Sequence, residues 1–209
     1  MATDDPAFAD IERTLKRSAA ALEGAGVPFL LGGSLASWAR GGPETRHDLD
    51  LMIKPEDVGR AGEALAAAGL RLEEPPEQWL VKAWDGEVLV DLIFAPSGLE
   101  MTDAVIARGE VLAVLSMDIR VMALEDVMTT KLMALTEHAL RYEGLLRVAR
   151  ALREQIDWEQ VRAATRASPF ARAFFVLAEG LGVVPAETSP AAPGVRVRVV
   201  TERGEGSGA

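Results

Sequence analysis

Apolar residues recur along this chain in two rhythms, and each stretch of constant rhythm predicts one element. Ile11, Leu15, Ala19 and Leu22 fall at the spacing of one helix face, and Gly24 and Gly26 end that helix. The largely apolar run Val27–Leu31 predicts a buried strand. It leads into Gly32-Gly33-Ser34 and a short helix over Leu35–Arg40, after which Gly41, Gly42 and Pro43 form a loop. Asp48–Ile53 reads as a second strand, and Pro55 opens a helix that continues through Ala68 until Gly69 stops it. Gln78–Trp84 and Glu87–Phe94, separated by Asp85-Gly86, predict a hairpin, because Asp-Gly supplies the positive φ that a two-residue turn requires.

Beyond Pro96 the rhythm changes. A helical stretch near Met101–Ala107 and a short extended pair, Val111–Leu115 with Ile119–Met122, precede helices over Leu124–Thr136, Ala139–Arg153, Trp158–Arg166 and Phe170–Leu181. From Pro185 onward small residues and proline dominate, and Glu202–Ala209 has no means of burying apolar surface. The expected architecture is α/β (α+β), a mixed twisted sheet with flanking helices followed by a C-terminal helical bundle. The expected division is an α/β domain over residues 1–122, a helical bundle over 123–184 and a tail over 185–209.

Composition narrows the function. At 209 residues with 49% apolar and 26% charged side chains, the chain can bury an ordinary globular core. The acidic N-terminus lacks the basic and apolar regions of a signal peptide, and no apolar run has the length of a membrane span, so a cytoplasmic protein is expected. The absence of cysteine excludes disulfides, thiol nucleophiles and cysteine-type zinc sites; His47 and His138 alone cannot make a histidine-rich metal site. A net charge of −10 disfavours a long nucleic acid as partner, since such binding draws on Lys and Arg at phosphates. Arg141, Arg147, Arg150 and Arg153 form a basic stripe that reads first as a solvated helix face.

The candidate chemistry lies between Leu30 and Phe94. Residues two apart on a strand share a face, so Asp48 and Asp50 project together while Leu49 and Leu51 point the other way. Two carboxylates on one face repel unless a cation lies between them, and Mg²⁺ is the oxygen-preferring ion held by such groups together with substrate phosphates. Gly32-Gly33-Ser34, at a strand-to-helix junction, is suited to close backbone approach by a phosphate, with Ser34 able to cap the helix or donate its hydroxyl. Asp91 stands inside the apolar strand Val88–Phe94, where a charge needs a partner. That partner is either a metal shared with Asp48 and Asp50 or an arginine such as Arg40 or Arg46. Three carboxylates on neighbouring strands suit a two-metal phosphoryl-transfer site.

These residues resemble the nucleotidyltransferase superfamily of the DNA polymerase β type, in particular its small bacterial members allied to toxin-type and antibiotic-modifying enzymes. The resemblance rests on Leu31-Gly32-Gly33-Ser34, Asp48-Leu49-Asp50 and Asp91, and covers about Val27–Phe94. It implies transfer of a nucleoside monophosphate from an NTP, ATP among them, with release of pyrophosphate. It assigns Gly32, Gly33 and Ser34 to the triphosphate, Asp48 and Asp50 to metal, and Asp91 to metal or general-base duty, with two Mg²⁺ ions when NTP is bound. The acceptor is left open among a small molecule, an RNA end and a protein hydroxyl, and the oligomeric state is not indicated.

On the helix from Leu124 to Thr136, Lys131 falls near the centre of the apolar stripe. It either reaches the triphosphate or a catalytic carboxylate, as the resemblance implies, or forms an ion pair with Glu125 or Asp126 or snorkels to solvent. His47 points away from Asp48 and reads as structural, as does His138. Trp38, Trp79 and Trp84 read as core rather than stacking platforms, and Arg40 and Arg46 flank the metal loop. Two functions remain: an active transferase, or a silent nucleotide- or partner-binding module with the same fold.

Overall fold

A computed structural model describes residues 8–43, 48–73 and 76–186. Arg46, His47 and residues 187–209 of the expected tail lie outside the described residues. Helix α1 (Phe8–Gly24) buries Ile11, Leu15, Ala19 and Leu22, the face read from their spacing. It is followed by β1 (Phe29–Leu31), α2 (Gly33–Trp38) and β2 (Leu49–Ile53). The segment expected to be helical from Pro55 begins as a tight 3-10 turn, Pro55–Asp57, and becomes α3 only over Val58–Ala67. Strand β3 (Arg71–Glu73) was not expected: all three residues are exposed, so it lacks any apolar alternation. The hairpin forms as β4 (Leu80–Asp85) and β5 (Val88–Ile93), with Gly86 at φ +63° in the turn.

Helix α4 (Asp103–Arg108), capped by the Thr102 side chain, leads to the hairpin β6 (Glu110–Val114) and β7 (Met117–Val121). Four helices close the described chain: α5 (Leu124–Met133), α6 (Tyr142–Leu152), α7 (Trp158–Thr165) and α8 (Pro169–Gly180). Asp157 and Ser168 cap the last two by accepting from the N–H groups of Gln160 and Ala171, and Pro169 occupies the first turn of α8. Helix α6 starts three residues later than the periodicity suggested, because Thr136 and Ala139 pair in a short bridge that interrupts the helical path.

The seven strands form one open mixed sheet in the order β3-β4-β5-β2-β1-β7-β6. Strands β2 and β5 are parallel neighbours at its centre, while β1 runs antiparallel to β2 and parallel to β7. The fold is of the α/β class, as expected. Its apolar residues sort into two clusters: one built on the sheet, α1 and α3, and one among the C-terminal helices. Helix α5 belongs to both, giving Val127 to the first and Leu124, Met128, Leu132 and Leu135 to the second. Among the described residues no helix is long and apolar enough to cross a membrane.

Candidate active site

Strands β2 and β5 are in register so that Asp50 lies directly beside Asp91. The flanking Leu49, Leu51, Val90 and Leu92 are fully buried, which fixes the pleat and directs the two aspartates to the other face of the sheet. Asp48 precedes β2 and is exposed at the strand's mouth. The three are not gathered into a ready-made cage, since no such convergence of three His, Cys, Asp or Glu side chains occurs among the described residues. Mutual repulsion of carboxylates opposes it.

The glycine turn is tied to β2. Gly32 donates its N–H to the Asp50 carbonyl at 2.8 Å. Gly33 adopts φ +57°, and a Cβ there would overlap the Asp50 carboxylate. Only glycine satisfies both the left-handed backbone and the close approach. The N–H of Ser34 bonds the Asp50 carboxylate, so this part of the turn positions an acid rather than standing open to a phosphate. The Ser34 hydroxyl is exposed and accepts a hydrogen bond from Lys131 Nζ at 3.3 Å.

Burial pushes the Asp50 carboxyl up to about 6; the Lys131 charge and the Ser34 N–H oppose that shift, and Asp48 adds to it. Asp91 is pushed up to about 7, first by burial and then by the charges of Asp50 and Asp48. Lys82, its cross-strand neighbour on β4, pulls the other way without prevailing. Burial also lowers the Lys131 ammonium from its ordinary value, against the pull of Asp50. Asp91 Oδ1 is buried without a hydrogen-bond partner among the described residues. An acceptor-only oxygen in that condition is a binding position for a cation or a proton.

Beside Ser34 and Lys131 opens a cleft of about 480 Å³, walled on one side by α2 and Pro43 and on the other by α5 and α6. Ser37, Arg141 and Arg147 line it as well. The arginine stripe read as a solvated face is thus divided: Arg141 and Arg147 face the cleft, Arg150 is exposed, and Arg153 bonds the Gly182 carbonyl and Glu154. The sequence did contain the signal, four arginines around one helix, but which of them face the cleft depends on how α6 packs against α5.

The alternatives for Lys131 find other partners, since Asp126 receives a two-pronged bond from Arg108 and Glu125 accepts from the Asp157 N–H. Arg40 is engaged by Glu110 and the Ala36 carbonyl. Trp38 packs edge-on against Phe8, Trp84 donates to Glu73, and Trp79 is exposed. His138 is exposed beside Glu137.

A mixed open sheet carrying a glycine-serine turn against one aspartate, with a second aspartate in register, is the frame of a nucleotidyltransferase. The sequence profile of the family described as uncharacterised nucleotidyltransferase matches residues 9–179, and the chain belongs to that family. Nucleotidyl transfer is therefore its reaction class. No curated protein matches the chain in sequence. Among solved structures, the chain is similar in fold to the antibiotic-resistance factor ANT(2'')-Ia in solution, with a TM-score of 0.59 at 18% identity over 84% of this chain and 98% of that one. The crystal structure of ANT(2'')-Ia in complex with adenylyl-2''-tobramycin gives a TM-score of 0.57 at 19% identity over 75% and 97%. A Thermotoga maritima protein classed with the nucleotidyltransferases gives 0.50 at 16% identity over 74% and 98%.

Proposed function

We propose that the protein is a Mg²⁺-dependent transferase that moves a nucleoside monophosphate from an NTP to the hydroxyl of a small-molecule acceptor. The observation that carries this reading is the Asp50–Asp91 pair in register, with Asp91 Oδ1 buried and unpartnered, next to the Ser34–Lys131 contact. The residues fit a magnesium site: adjacent carboxylates supply hard oxygen donors, one of them lacking any other partner, and the exposed Asp48 stands at the mouth to add a third. Asp50, Asp91 and Asp48 would hold the metal. Bound there, Mg²⁺ would neutralise phosphate charge and lower the pKa of an acceptor oxygen.

The chain's own groups account for the remaining needs of the reaction. Asp91 would also accept the acceptor's proton as the new bond to the α-phosphorus forms and the bond to the bridging oxygen breaks, releasing pyrophosphate. Lys131 and the Ser34 hydroxyl donate to phosphate oxygens, while Gly33 keeps Asp50 in place. A small acceptor is supported by the net charge of −10, which disfavours a long nucleic acid, and by the adenylyl-2''-tobramycin held by ANT(2'')-Ia. The silent-module alternative is disfavoured, because a carboxylate oxygen buried without a partner among the described residues lowers stability without chemical return.

Differential scanning fluorimetry tests the binding half of this reading. Mg²⁺ and an NTP together are expected to raise the melting temperature more than the sum of each alone, because ligand bound only by the folded state stabilises it. No shift with any NTP at millimolar concentration would remove nucleotide from the account.

A further inference from the structure

We propose that Arg141 and Arg147 form the seat of the donor's two terminal phosphates, the part that leaves as pyrophosphate, and so set a preference for triphosphates over shorter nucleotides. The inference rests on the nucleotidyltransferase reading and extends it to Arg141, just before α6, and Arg147 within it. Three observations converge. The cleft runs from Ser34 on α2 and Lys131 on α5, beside Asp50, to Arg141 and Arg147 farther along the same side as Lys131. A phosphate chain whose α-phosphorus lies at the aspartates and whose oxygens meet Lys131 therefore extends its far end toward the arginines.

The lining of the cleft carries three cations and no carboxylate, in a protein of net charge −10. Such a local excess of positive charge favours an anion and disfavours a cationic occupant. The arginines of the helical unit also divide by engagement, and Arg141 and Arg147 fall with the exposed Arg150 and Arg166 among those without an ion pair to another described residue. Arg108, Arg153 and Arg162 are engaged by Asp126, Glu154 and Glu179, whereas among the described residues neither cleft arginine makes an ion pair. Both are exposed, so their planar forks can close on phosphate oxygens in two-pronged bonds without breaking an existing pair.

The test measures binding of Mg-ATP, Mg-ADP, AMP and inorganic pyrophosphate to the full chain and to the Arg141→Ala/Arg147→Ala double variant, by calorimetry at two salt concentrations. Because both side chains are exposed, the variant should melt within a few degrees of wild type. Its affinity for ATP and pyrophosphate should fall by about tenfold to a hundredfold, as expected for losing hydrogen bonds to charged groups, with AMP affinity unchanged. ATP should displace pyrophosphate from the wild-type protein. Equal ATP affinity in variant and wild type overturns the arginine assignment and leaves the transferase reading standing. Simultaneous binding of ATP and pyrophosphate also overturns it, because the cleft is then a separate anion site suited to an acidic acceptor. A wild-type protein that binds neither ATP nor pyrophosphate removes both readings.

Discussion

In the proposed reaction, Asp91 concentrates the chemistry of the site in one side chain. Among the described residues its Oδ1 is buried without a donor, its register neighbour is another carboxylate, and the cation opposing its rise is Lys82 across the hairpin. Asp91→Asn preserves the shape and removes the base, so turnover should fall by roughly a hundredfold or more while NTP affinity changes far less. Metal-free stability should hold or rise. A large loss of stability with near-normal turnover per folded molecule would make Asp91 a structural residue.

The pH dependence follows from the same groups. Asp50 and Asp91 titrate near 6 and 7 in the folded chain against about 4 when unfolded, so the folded state holds protons that the unfolded state releases in between. Their stabilising contribution is complete below about pH 4 and is lost as pH rises through 6 and 7. In metal-free buffer, the melting temperature of wild type relative to Asp91→Asn should therefore decline between pH 5 and pH 8. A difference that stays flat would contradict titration of Asp91 in this range. The need of Asp91 for a partner was legible from its apolar strand alone. The roles of Arg141 and Arg147 were not, since nothing local marks which arginines of a helix face a cleft.

At the scale of elements, the strand-turn-helix unit β1–α2 and the strand β2 act together. The turn's close approach to β2 makes Gly33 a positioning residue for Asp50. Gly33→Ala would place an L-residue at φ +57°, a strain of about 1–2 kcal/mol, and force the Asp50 carboxylate aside. Activity should fall by much more than the melting temperature accounts for; wild-type turnover in this variant would contradict the tie between turn and carboxylate. The hairpin β4–β5 and strand β2 were readable because Asp-Gly and the apolar runs are local signals. Strand β3 was not, because an exposed three-residue edge strand is specified only by its pairing with β4. The turn itself was legible as a strand-to-helix junction, but its use of the Ser34 N–H on Asp50 emerges only from the pairing of β1 with β2.

At the scale of the whole molecule, α5 joins the sheet cluster to the helical cluster and carries Lys131 to Ser34 between them. We propose that the division at residues 122/123 separates two walls of one cleft within a single cooperative unit, because a helix shared by both clusters couples their unfolding. Met128→Ala, in the fully buried face of α5, should cost about 2–5 kcal/mol and lower one common transition. Two separate transitions would mark independent domains. The central claim, that this chain transfers a nucleotide, is tested most directly by following each of the four NTPs labelled at the α-phosphorus, with Mg²⁺, in a small-metabolite extract. The account predicts label in a small molecule and an equal amount of pyrophosphate, both abolished by a chelator and by Asp50→Asn. Absence of transfer and of pyrophosphate, from a preparation that binds Mg-NTP, would contradict it and establish a silent nucleotide-binding module.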